Sequence, residues 1–331
     1  MRRPAFAGSV GAAFVCLILG LWPALSVAAA PQVVAPGIWL IPGGLAPDRE
    51  PDGNTVVLEG RGGLIVVDTG RHPAQRQAIL DFAARRGRPI VAVVNSHWHL
   101  DHVSGNPDLK RAFPGLKVYA SGAIDRALTG FLAHSAADDR AYLASSGLPA
   151  ATREDIETDL ATIANGQALR PDVVIDHTQA LRLAGRSLVI HLAPNAATAG
   201  DIWLFDPASK VAAVGDLVTL PAPFLDTACP AGWSAALDEI AATPFNVAIP
   251  GHGAPLTRPQ LQLYRRAFND LIACAGSGRP KGACAADWAS AVSPLLGLAP
   301  RDRSLAVSLT EYYVGDVLRA HGGKSADCQD G

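Results

Sequence analysis

The chain has 331 residues, of which 49% are hydrophobic and 18% charged, with 28 basic residues against 30 acidic ones. That is apolar enough to bury a core and too weakly charged for disorder. A net charge of −2 recruits neither nucleic acid nor an anionic membrane, and 6% aromatic content argues against base-stacking platforms.

Residues 1–30 read as an export signal. Arg2 and Arg3 open it, Val10 to Leu21 is an apolar run short for a membrane span, and Ala28 and Ala30 form an A-x-A cleavage site. An uncleaved anchor is the alternative. Cleavage leaves 301 residues with a net charge of −4 and removes Cys16. A periplasmic or secreted protein follows, with no stable membrane association. The four remaining cysteines fit two disulfides, Cys274–Cys284 closing a short loop and Cys229–Cys328 by default. None sits in a C-x-x-C pair, which argues against thiol redox chemistry or a zinc knuckle.

The chain then opens with short aliphatic runs at Ile38 to Ile41, Thr55 to Glu59 and Leu64 to Val67, with Gly60-Arg61-Gly62-Gly63 as a hairpin turn. Pro73 to Arg86 predicts a helix, and Ile90 to Val94 a buried strand. Gly122 to Gly166 reads as two inserted helices. Strands return at Val173 to Ile175, Leu181 to Leu183, Leu188 to Leu192, Ile202 to Phe205 and Val211 to Val214. Helices at Ser234 to Ala242 and Pro259 to Ala275 flank the strand Val247 to Ile249. Two more helices follow from Ala283. The order suggests one α/β domain of two similar halves, residues 31–275, with residues 276–331 as a helical extension packed on it.

The densest chemical signal is Ser96-His97-Trp98-His99-Leu100-Asp101-His102, where three of the nine histidines and an acid fall within six positions at the end of a strand. His97 and His99 are two apart, so an extended backbone turns both imidazoles to one side. Asp101 and His102 follow across a turn. Imidazole and carboxylate suit zinc and related divalent ions. Trp98 and Leu100 alternate with these residues and are expected to pack into the core, as are Tyr312 and Tyr313. His177 and His321 read as surface histidines.

This H-x-H-x-D-H run resembles the signature of the metallo-β-lactamase-fold hydrolases. Val67-Asp68-Thr69-Gly70, Val214-Gly215-Asp216 and Ile249-Pro250-Gly251-His252-Gly253 are similar to three further elements of that superfamily, in order. The resemblance implies a four-layered αββα sandwich with a metal centre at one edge of its sheets. It implies His97, His99, Asp101, His102, Asp216 and His252 as metal ligands, with Asp101 and Asp216 in catalysis. Asp68 and Asp201 would stand behind the ligands and hold imidazoles in one tautomer.

One element departs from the family pattern. Where relatives carry H-T-x-G-D, this chain has Ala197-Thr198-Ala199-Gly200-Asp201. The first site keeps His97 and His99, the second Asp101, His102 and His252, with Asp216 able to reach either. Two side chains seldom hold zinc tightly, so one zinc ion is expected rather than two. Three readings follow: a one-ion hydrolase, a replacement ligand, or a binding scaffold that has lost its reaction. His191 is the first replacement candidate, followed by Asn195, His72 and His134. The resemblance implies a metal-dependent hydrolase of a small ester, amide, lactam or thioester, with β-lactam hydrolysis as an alternative.

Overall fold

The computed structural model describes residues 30–145, 147–297 and 300–328. The export signal therefore lies, apart from Ala30, outside the described residues. Two sheets stack face to face. In the first, β1 (Gln32–Ala35), β2 (Ile38–Ile41), β3 (Thr55–Gly60), β4 (Gly63–Val67), β5 (Ile90–Val94), β6 (Lys117–Ala120) and β7 (Val173–Val174) lie in chain order. β1 to β4 are antiparallel neighbours, and β4 to β7 are parallel ones. The second sheet comprises β8 (Gln179–Leu183), β9 (Arg186–Pro194), β10 (Gly200–Asp206), β11 (Val211–Thr219), β12 (Val247–His252) and β13 (Leu256–Thr257), again in chain order; only β11 and β12 pair in parallel.

Alternation along each strand builds the layers. Ile65 and Val67 of β4 meet Ile202 and Leu204 of β10 between the sheets. Leu64 and Val66 turn the other way, onto Ile79 and Phe82 of helix α1 (Pro73–Arg86). Trp203, Ala212 and Val214 turn outward onto Trp233 of α7 (Pro230–Ala242) and Phe268 of α8 (Arg258–Ala275). The αββα architecture expected from the resemblance is what these apolar faces produce. The hairpin turn lies where expected, with Gly60 opposite Gly63.

Two short helices absent from the sequence reading, α2 (Leu100–Val103) and α3 (Asn106–Ala112), follow the histidine run. The insert holds three helices rather than two, α4 (Ile124–Thr129), α5 (Phe131–Leu143) and α6 (Ala150–Ala164), because Gly130 breaks the first run. The edge strand β1 and the four-residue β6 add to the strands that the sequence predicts; both are short and partly exposed, so their apolar pattern is weak.

Beyond α8, α9 (Lys281–Ala291), α10 (Pro300–Tyr312) and a π-helical turn (Tyr313–Arg319) bury Trp288, Val314 and Leu318 in the same apolar cluster as Val214. Both disulfides form as expected: Cys274–Cys284 ties α8 to α9, and Cys229–Cys328 ties the last described residue to the start of α7. Among the described residues no helix is long and apolar enough to cross a membrane.

Candidate metal centre

The parallel strands end at one edge of the stacked sheets, where polar groups from different strands can converge. Asp68 follows β4 with a positive φ of 61°. Its Oδ1 accepts the Ser96 backbone N–H, and its Oδ2 accepts the Ser96 hydroxyl, both at 2.7 Å. That hydroxyl, having given its proton to Asp68, accepts from His97 Nδ1 at 2.9 Å. The lone pair of His97 is thereby left on Nε2, a buried atom with no hydrogen-bond partner among the described residues. Asp68 Oδ2 also lies 2.9 Å from His102 Nδ1, turning His102 Nε2 toward the centre. Asp68 thus touches one imidazole directly and another through Ser96.

The potential ligand atoms fall into two groups, Asp101, His102 and His252, and His97, His99 and Asp216, each lying within 4.8 Å of one another. His252 Nε2 is 3.0 Å from Asp101 Oδ2, and His102 Nε2 is 3.4 Å from the same oxygen. Asp216 connects the groups, with Oδ1 3.2 Å from His102 Nε2 and Oδ2 3.6 Å from His97 Nε2. Asp216 thus supplies the third donor beside His97 and His99.

Burial alone would push His102 down, but Asp101, Asp216 and Asp68 outweigh it and hold the imidazole well above its ordinary value. Burial would raise Asp101 and Asp216, yet the facing imidazoles keep both well below the carboxylate range. His97 is driven well down by burial and by His102 and His99, and His99 falls to about 4, chiefly by burial. A pocket that stabilises positive charge between carboxylates, with an orphaned imidazole nitrogen beside it, fits a divalent cation bound in place of protons. Two glycines make room. A Cβ on Gly251 would lie 1.9 Å from Asp216 Oδ1, and one on Gly53 would lie 2.4 Å from the His102 ring. Asn54 fastens the Gly53 loop to β12 by donating to the carbonyls of Pro250 and Gly253.

None of the proposed replacement ligands reaches the centre. The His191 ring stacks on Trp203 at 3.6 Å, and its Nδ1 lies 2.8 Å from Glu239, because its position on β9 turns it to the helical layer. His72 is held between Asp52 and Asp155, His134 is exposed, and Asn195 occupies a left-handed turn position. Asp201 also departs from expectation. Its Oδ2 accepts the Thr198 N–H at 2.8 Å, so it caps the Ala197 turn rather than holding an imidazole. Burial pushes its carboxyl well up.

A cavity of about 380 Å³ opens over the centre, with His99, Asp101, Asp216 and His252 on its floor. The insert contributes Phe131 and Leu132 of α5 and Ile156 of α6, and the C-terminal helices contribute Leu309 and Tyr313. Trp98 and Leu100 pack into the core as expected and also line this cavity. Tyr313 is buried as expected but is a wall residue too, and Tyr312 is exposed. Helical spacing cannot tell a core position from a cavity wall. Arg71, which no motif in the sequence marks, is a buried guanidinium on the wall paired with Asp159. Burial and nearby Glu50 push Asp159 up to about 6 against the pull of Arg71.

The profile of the metallo-beta-lactamase superfamily matches residues 48–252. A linear primary-alkylsulfatase from Pseudomonas sp. is 27% identical over 66% of this chain and 44% of its own length. A hydroxyacylglutathione hydrolase from Gloeobacter violaceus is 47% identical over 15% of this chain and 19% of its own. The chain spans less than half the length of these curated relatives. Among solved structures, a stereoselective inverting sec-alkylsulfatase from Pseudomonas sp. superposes with a TM-score of 0.59 at 23% identity, over 89% of this chain and 50% of that one. A metallo-beta-lactamase from Pontibacter korlensis gives 0.53 at 17% identity, over 72% of this chain and 98% of that one. These two likenesses show the fold.

Proposed function

The chain belongs to the metallo-β-lactamase superfamily, and from that premise we propose that it is an exported, zinc-dependent hydrolase of a small ester, amide, lactam or thioester. The observation that carries this reading is the pair of donor groups, linked by Asp216, beneath a largely apolar cavity whose floor includes His99, Asp101, Asp216 and His252. The expectation of one ion rested on Ala197. Asp216 beside His97 and His99 supports a second, weaker site, so we propose two ions of unequal affinity.

Bound zinc would supply a nucleophilic water with a pKa near 7 and polarise the scissile carbonyl. His97, His102, His99 and His252 would hold it through imidazole nitrogens, and Asp101 and Asp216 through carboxylate oxygens. Asp101 Oδ2 faces both His102 and His252, and Asp101 lines the cavity. It orients the attacking water and carries its proton toward the leaving group. Phe131, Leu132 and Leu309 seat the apolar part of the substrate and exclude bulk water.

A second reading is hydrolysis of an alkyl sulfate ester. It is favoured by the alkylsulfatase match over 243 residues and by the apolar cavity wall. The test is metal content of the purified mature chain, followed by turnover of 4-nitrophenyl butyrate, a thioester, a chromogenic cephalosporin and decyl sulfate. Chelator-sensitive turnover of an acyl substrate supports the first reading, of the cephalosporin its β-lactam form, and of decyl sulfate the second. A metal-free chain that resists reconstitution ends both and leaves a binding scaffold.

A further inference from the structure

The imidazoles of the centre are held from behind by different means. His97 and His102 lean on Asp68, one through Ser96 and one directly. The one side chain hydrogen-bonded to the His99 ring among the described residues is Thr227, on the loop between β11 and α7. Thr227 is 1% exposed. Its Oγ1 lies 3.0 Å from His99 Nε2 and 2.8 Å from the backbone oxygen of Ala197.

These two contacts decide the proton. A hydroxyl has one hydrogen, and a carbonyl oxygen only accepts, so Thr227 donates to Ala197. Its oxygen can then only accept from His99, which must carry its hydrogen on Nε2. Nδ1 is left with the lone pair. Trp98 and Phe224, edge-on at 4.6 and 4.9 Å, fix the plane of the ring.

The accepting carbonyl is itself anchored. Ala196 N–H donates to Thr198 O, and Thr198 N–H donates to Asp201, each at 2.8 Å. The Cys229 N–H donates to Ala196 O at 2.8 Å, which brings the loop carrying Thr227 against the same turn.

We propose that Thr227 is the positioning residue of the His97–His99–Asp216 group: anchored on the Ala197 carbonyl, its hydroxyl fixes His99 as the Nε2–H tautomer and presents Nδ1 to a metal ion. The inference rests on the metal-centre reading. It gives the turn lacking a ligand side chain a role that needs only its backbone, and it gives Asp201 one through that turn.

Thr227→Val removes the hydroxyl at nearly constant volume, and Thr227→Ser keeps it. The full metal-free mature chain is titrated with zinc(II) against a chromogenic chelator. Wild type is expected to take two equivalents. Thr227→Val is expected to weaken one of them about 10- to 100-fold, the range found when a group supporting a ligand is lost. The other should hold, and Thr227→Ser should resemble wild type. Ring ¹⁵N shifts of His99 in the metal-free protein give a reading independent of metal. Wild type and the Ser variant should show a protonated Nε2 and a bare Nδ1, and the Val variant a mixture of tautomers. Zinc uptake by Thr227→Val equal to wild type, or a wild-type His99 protonated on Nδ1, would overturn the role of Thr227 alone. A wild type that takes up no zinc would overturn the metal-centre reading itself, and the proposal with it.

Discussion

The two donor groups share one carboxylate and differ in almost everything else. In the Asp101–His102–His252 group, imidazole nitrogens face a carboxylate oxygen at 3.0 and 3.4 Å, and both imidazoles are held above their ordinary values by the acids around them. In the His97–His99–Asp216 group the His97 contact to Asp216 is 3.6 Å, and burial drives both imidazoles down. The first group is arranged to hold positive charge whatever supplies it. The second offers neutral nitrogens that are ready to ligate but gain little from the surrounding field. Counting ligands therefore says less about relative affinity than the placement of carboxylates around them.

The sharpest break in that contrast is His102→Ala. It removes the imidazole that touches Asp68, Asp101 and Asp216. Zinc affinity of the stronger group should fall by more than the roughly 100-fold seen when a mere supporting residue is lost, with activity lost alongside. Wild-type zinc content in this variant would show that the stronger site lies elsewhere.

Gly251→Ala attacks both groups together, because its Cβ would press on Asp216 Oδ1 and on the backbone at Gly215 and Asp216. Overpacking of this kind costs about 1–3 kcal/mol. Denaturant unfolding should register that loss, and metal analysis should show depletion of both equivalents. Loss of only one equivalent would mean that Asp216 serves a single group.

Ala197→His tests whether the weaker group merely lacks an imidazole. Ala197 is buried in an apolar cluster with Leu225 and Ala228, so an unpartnered imidazole there is expected to cost about 1–3 kcal/mol. A thermal melt measures this. A variant that instead melts higher and binds its second zinc more tightly would show that the pocket accepts the family's usual ligand.

The smallest expected effect is that of Asp201→Asn. The Asp201 carboxyl sits well above its ordinary 3.8 in the folded chain, chiefly through burial. Folding therefore favours its protonated form, a stabilisation present in full below that ordinary value and lost as pH rises through the raised one. Asparagine stays neutral at every pH and can still accept the Thr198 N–H. Stability followed by denaturation from pH 5 to 8 should decline less in the variant than in wild type. Parallel declines would mean that Asp201 is already ionised in the fold.

Much of this arrangement was legible because it is local. The aliphatic runs of β4 and β5 need only their own residues to be recognised as buried strands, and the His97 to His102 run announces metal chemistry by spacing alone. The residues that went unread act through partners distant in the chain. Thr227 meets His99 across 128 positions. Gly53 matters only because the His102 ring passes beside it. Phe131 and Tyr313 form the cavity wall because helices from two separate segments close over the same floor. His191 failed as a ligand for the same reason, since the pairing of β9 with β10 sets which face of the sheet it occupies.

What the sequence alone determined is the identity of the chemistry-bearing groups and the strands that end beside them, since periodicity and residue type act over a few neighbouring residues. Tertiary structure decided that His97, His102 and His252 turn Nε2 toward the centre, which group Asp216 completes, and what shape of cavity lies above. Those properties depend on hydrogen bonds and fields between side chains that only folding brings within 3–4 Å of one another.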